Sequence, residues 1–186
     1  MLSHAWKTIF VHQRKCAGSS IIRAFGEHPL TPAGDFMNDG CLSAEYHDWK
    51  RCLLPEYYKF AVVRNPWDRF VSGWLYCEGT RDLPLRTVLR NLPAIEHDYV
   101  HVTRLQRETL YDLAGYLIVD KLVRFENLQG DFNEVCDTIG KPRVALPRLL
   151  ANRDRLPYQE YFRDPVDRDL FLRHFARDAD TFGYTF

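Results

Sequence analysis

Six consecutive residues, Lys15-Cys16-Ala17-Gly18-Ser19-Ser20, put one cation, two small residues and two hydroxyls together. They follow a short apolar run, Thr8 to His12, that reads as a buried strand. The two serines can open a helix at Ile21. A strand, a small-residue turn and a helix start make an anion site, because unpaired backbone N–H groups and the helix dipole converge there. Lys15 adds a mobile full charge at its mouth. In a nucleotide-binding kinase loop the lysine follows the glycines, whereas Lys15 precedes Gly18. The stretch alone therefore reads either as an anion site of open type or as an ordinary turn with a solvated lysine.

A second stretch, Phe60 to Trp74, repeats the arrangement. Arg64 stands at the C-terminal end of an apolar run, where open α/β sheets bind ligands. Arg69 and Ser72, three apart, share a helix face and could grip a second anion by guanidinium and hydroxyl. Two such strand ends point to a ligand with two separated anionic groups.

Positioning these groups requires strands and helices in alternation. Lys59 to Arg64 is predicted as a second buried strand, with Asn65 as cap and Pro66 at the first position of a helix running to about Glu78. Ser19 is predicted to cap a helix through Glu27. Further helices are expected over Ser43–Leu53, Asp82–Leu92, Thr103–Leu113 and Asn127–Ile139, the last stopped by Gly140. A third strand is expected at Lys121–Phe125. The last helix starts at the cap Asp164 and Pro165 and runs to about Arg177, with Val166, Leu170, Phe171 and His174/Phe175 inward. Lys141 to Leu156 reads as an irregular basic stretch. Strands separated by helices specify an α/β domain with a small parallel sheet flanked by helices, and the 186 residues read as a single domain, 1–186.

The totals exclude other classes. Zero formal net charge gives no global field to recruit nucleic acid or an anionic membrane. Five scattered cysteines, without C-x-x-C spacing, disfavour a zinc site and a disulfide framework and suit a reducing compartment. No signal peptide or membrane-length apolar run is present. The expectation is a cytoplasmic protein, or a trimmed domain of a longer one; the start at Met1 favours the first.

KTIFVHQRKCAGSS resembles the 5′-phosphosulfate loop of sulfotransferases, usually F-x-H-I-P-K-T-G-G-T-S. AVVRNPWDRFVSGW is similar to their 3′-phosphate motif, R-x-P-x-x-R-x-x-S. VTRLQRETL, VDKLVRFENLQGDF, LPRLLANRDRLPYQEYF and DADTFGYTF then follow, in order, the pattern of carbohydrate-type sulfotransferases, the group with heparan sulfate 2-O- and chondroitin sulfotransferases. The resemblance implies a P-loop-like sulfotransferase fold. The implied reaction moves a sulfuryl group from 3′-phosphoadenosine 5′-phosphosulfate (PAPS) to an acceptor hydroxyl, on a saccharide or small glycoconjugate or another small hydroxylated metabolite, without a metal.

Carried over by position, the resemblance makes Lys15 a catalytic cation on the 5′-phosphosulfate. Arg14, Cys16, Ala17, Gly18, Ser19 and Ser20 line the same group. Arg64 and Ser72 hold the 3′-phosphate, and Asn152 and Arg153 fold over the nucleotide. His47, between the two motifs, takes the place of a catalytic base; His97, His101 and Arg155 are assigned to the acceptor, Glu45 is a carboxylate alternative to His47, and His12 is read as a structural strand residue. The chain departs from the family form at Arg14 (usually Pro), Cys16 (usually Thr) and Ala17 (usually Gly). Ala17 requires a negative φ to be tolerated there, and Cys16 is expected to be a packed thiol. Two rival readings are a P-loop kinase-like phosphotransferase and a catalytically inert nucleotide-binding module.

Overall fold

The structure, a computed structural model, describes residues 1–25, 55–92, 100–149 and 155–186, with the backbone alone for 100 and 101. The helix expected over Ser43–Leu53 lies outside the described residues. The chain divides into two compact units: Met1–Val63 with Glu108–Ala151, and Arg64–Arg107 with Asn152–Phe186.

The first unit holds a four-stranded sheet in the order β1-β2-β3-β4. Strands β2 (Thr8–Val11), β3 (Tyr58–Val63) and β4 (Lys121–Arg124) are parallel, with Phe10 opposite Phe60 and Val62 opposite Val123. These are the three strands that run length predicts. Parallel strands are covered on both faces and so read as unbroken apolar runs; accordingly every residue from Phe60 to Val63 is fully buried. The edge strand β1 (Leu2–Ser3) pairs antiparallel with β2. Two residues carry no periodicity, which is why β1 is not foreseen.

Helices α1 (Gly18–Ala24) and α7 (Leu128–Ile139) bring Ile21, Phe132, Val135 and Cys136 onto Phe10, Phe60, Val62 and Val123, forming one core. The Phe10 and Phe60 rings stack with centroids 5.0 Å apart. Gly140, at φ 71, ends α7 in the left-handed conformation that glycine adopts without steric cost. The fold is α/β, a mostly parallel sheet flanked by helices.

The second unit is helical: α2 (Pro66–Trp74), α3 (Glu78–Arg81), α4 (Leu85–Arg90), α5 (Val100–Thr103), α8 (Tyr158–Tyr161) and α9 (Pro165–Phe182), while α6 (Arg107–Leu110) carries the chain back to the first unit. Its core is aromatic: Trp67 and Phe70 of α2 pack with Phe162 and with Phe171 and Phe175 of α9. Trp67 stacks on Phe171 with centroids 3.8 Å apart.

Four helix boundaries differ from expectation, each for a local reason. The helix expected over Asp82–Leu92 is shortened to α4, because Pro84 is held extended (φ −57, ψ 140) and caps it. Of the helix expected over Thr103–Leu113 only the single turn α6 forms, since the Gln106 N–H donates to Asp178 at 2.8 Å rather than up a helix. The α2 helix ends at Trp74, whose carbonyl accepts from the Thr80 hydroxyl at 2.8 Å. Helix α9 continues past Arg177 to Phe182 because Asp178 is satisfied in the core, and Gly183 stops it at φ 66. Val166 is exposed, contrary to expectation; Asp167 and Asp178 lie on the buried face of α9 instead.

Candidate functional site

The turn after β2 owes its shape to two left-handed residues, Lys15 at φ 63 and Ala17 at φ 58, with Cys16 of ordinary handedness between them. Alternating handedness turns successive N–H groups toward one side, the geometry of an anion-binding nest. Ala17 therefore adopts the conformation that the sequence reading excluded for it. It is the N-cap of α1, a role expected of Ser19. Its carbonyl accepts from the N–H groups of Ser20 and Ile21 at 3.0 and 3.1 Å. Among the described residues, those of Gly18 and Ser19 have no acceptor.

The loop side chains divide sharply. Ser19 is exposed, Arg14 and Lys15 are half-buried, and Ser20 is buried. Cys16 is wholly buried, and its thiol donates to the Arg14 carbonyl at 3.5 Å. It packs with Phe10 and Ile21, so the side chain does not line the loop as the cofactor assignment had it. Gly18 is dictated by close approach: a Cβ there would lie 1.8 Å from His12 Nε2. His12 is the first residue beyond β2, and its ring covers the start of α1. The rule that singled out Arg64, a polar residue just past a strand's C-terminal end, also points to His12.

Arg64 follows β3 directly and is pinned at both ends. Its N–H donates to Gln106 Oε1 and its carbonyl accepts from Gln106 Nε2, both at 2.9 Å. Gln106 is itself fully buried, and the buried Asp178 accepts from its N–H. At the other end, Arg64 Nε donates to Asp68 Oδ2 at 2.7 Å and Nη2 lies 2.6 Å from the same oxygen. The second Asp68 oxygen accepts from Arg155 Nη2, and the Asp68 carbonyl accepts from Arg155 Nη1 at 2.9 Å. Asp68 was assigned no role from sequence, although its i,i+4 spacing to Arg64 is a legible pairing signal.

The Asn65 side chain caps α2 as expected, accepting from the N–H groups of Trp67 and Asp68 at 3.0 and 3.5 Å. Arg69 departs from expectation. It is only 2% exposed and donates to the Arg104 carbonyl, so it is a structural tie and not half of an anion grip. Ser72 is half-buried on α2, with no partner for its hydroxyl among the described residues. His47, Glu45, His97, Asn152 and Arg153 lie outside the described residues; His101 is placed in α5 by its backbone alone.

Among the described residues, no cluster of three or more His, Cys, Asp or Glu is placed to hold a metal ion, and Cys16, Cys77 and Cys136 are not in disulfides. Searches of curated proteins and of solved structures return no match. A family model does match. It is described as the sulfotransferase family, covers residues 7–114, and so takes in the Lys15 turn and the whole Arg64–Ser72 segment. With more than half of its length matched, the chain belongs to the sulfotransferase family, whose chemistry is sulfuryl transfer to a hydroxyl-bearing acceptor.

Proposed function

We propose that the chain moves a sulfuryl group from PAPS to an acceptor hydroxyl of a saccharide or small glycoconjugate. The observation that carries this reading is the backbone nest at Lys15–Ala17 opening onto α1, in a chain of this family. The donor supplies an activated sulfuryl group on a phosphate leaving group. The N–H groups of Gly18 and Ser19 and the Ser19 hydroxyl suit the 5′-phosphosulfate end. Lys15 neutralises charge that grows on the bridging oxygen, which is electrostatic stabilisation of the kind transfer of phosphoryl-like groups demands. Arg64 and Ser72 take the 3′-phosphate, with Asn152 and Arg153 over the nucleotide, and His47 accepts the acceptor's proton. His97 and His101 fall to the acceptor side, and Arg155 to the acceptor or to the cofactor. We place this activity in the cytoplasm.

Two measurements on the full chain test the reading. Calorimetry should show adenosine 3′,5′-bisphosphate binding in preference to ATP; preferential ATP binding would overturn it. Transfer of labelled sulfate from PAPS to a panel of glycans and small alcohols should give turnover, and Lys15→Ala should lower it by roughly 10²–10³, the cost of one lost oxyanion donor. Binding without turnover across the panel would mark an inert nucleotide-binding module.

A further inference from the structure

Asp68 carries two arginines, and both of its carboxylate oxygens are used. Arg64 occupies Oδ2 through Nε and Nη2, Arg155 occupies Oδ1 through Nη2, and the Asp68 main-chain carbonyl takes a further bond from Arg155 Nη1. This is not a loose surface pair. The side chains of Arg64, Asp68 and Arg155 are 8%, 19% and 17% exposed. Arg64 is also clamped through its backbone by Gln106, which Asp178 holds in turn. Asp68 stands in the first turn of α2, where Asn65 fixes its N–H. Two guanidinium groups held side by side can share one phosphate dianion through charge-assisted hydrogen bonds.

We propose that Asp68 is a positioning residue that fixes Arg64 and Arg155 as a two-guanidinium grip on one phosphate, and so sets which ribose hydroxyl must carry that phosphate. The inference rests on the donor reading above and deepens it. Two like-charged guanidiniums left to themselves repel and sample many rotamers; a shared carboxylate holds them adjacent and orders both forks before a ligand arrives. Charge and position can be separated. Removing Asp68 raises the positive charge equally for any bisphosphate. Only the loss of position erodes discrimination between two ligands of identical charge.

The experiment compares adenosine 3′,5′-bisphosphate with adenosine 2′,5′-bisphosphate, and adenosine 5′-monophosphate as reference, by calorimetry on the full chain. The wild type should prefer the 3′,5′ isomer, and Asp68→Asn should cut that preference by about tenfold, the equivalent of one misplaced charge-assisted hydrogen bond. The affinity itself can move in either direction. A preference kept within about twofold, or an equal change for both isomers, is what a merely structural role produces, and it overturns the proposal. If Asp68→Asn fails to melt cooperatively, Arg155→Gln removes one arm of the same grip, with the same two outcomes. A wild type that binds neither bisphosphate more tightly than the monophosphate would overturn the donor reading itself, and this inference with it.

Discussion

Ala17 and Gly18 show how tightly the turn after β2 is constrained. An alanine at φ 58 sits in a region that disfavours any Cβ, by about 1–2 kcal/mol. The family form has glycine at this position. Ala17→Gly removes that strain but frees the unfolded chain, at about 0.5–1 kcal/mol. A net gain of up to about 1 kcal/mol is expected, read as a higher urea midpoint with an unchanged slope. A lower midpoint would mean that the left-handed turn is not strained. At its neighbour Gly18 a Cβ would collide with the His12 ring, which would have to move to admit it. Arg69 makes the opposite point: an arginine spaced as if for an anion is buried and tied to a main-chain carbonyl.

Helix termini carry much of the local stability. The α9 helix begins at Asp164, whose Oδ1 accepts from the Val166 N–H at 2.9 Å while its other oxygen accepts from Arg86. Arg86 also donates to Asp167 at 2.6 and 3.1 Å, so α4 and the first turn of α9 are joined through one guanidinium. Arg86 first, and the Val166 N–H second, hold the Asp164 carboxyl below the usual carboxylate range. A depressed folded-state pKa stabilises above the unfolded value of about 3.9 and loses its effect as pH falls through the folded value. Asp164→Asn keeps a capping side chain and removes the charge. It should lower the melting temperature near pH 7 by on the order of a degree or two, and the two proteins should converge only as pH falls through the depressed folded-state value, below the usual carboxylate range. A gap that persists into acid would assign the loss to the cap and not to the ion pair. Thermal denaturation followed by circular dichroism across pH distinguishes the two.

Each unit has its own core, one built where strands meet α1 and α7, the other where aromatic residues of α2 and α9 interlock. In the second unit, residues 64, 106 and 178 meet at the Gln106 side chain, which is completely buried. Gln106→Ala leaves the Arg64 N–H and carbonyl without these partners, at about 1–3 kcal/mol for each unsatisfied group. A loss of about 3 kcal/mol in urea denaturation is expected, together with weaker bisphosphate binding because Arg64 is no longer held. A loss below about 1 kcal/mol would show that the backbone is satisfied in another way. Among the described residues, no helix is long and apolar enough to cross a membrane.

The chain's own residue pattern determined the three parallel strands, the caps at Asn65 and Asp164 and the stop at Gly140. These depend on run length and on side chains acting within a few positions. It also singled out the Lys15 and Arg64 turns, since a charged or small residue past an apolar run is a local signal. What stayed hidden depends on partners far away along the chain. Arg69 looked like half of an anion grip until its helix face met the Arg104 carbonyl. Asp68 drew no role from sequence, because Arg155, which holds its second oxygen, lies 87 residues on. The helix expected over Thr103–Leu113 broke because a buried aspartate on α9 captured its backbone. The conformation of Ala17 escaped a local rule as well, because the turn's geometry overrides the preference of a single residue.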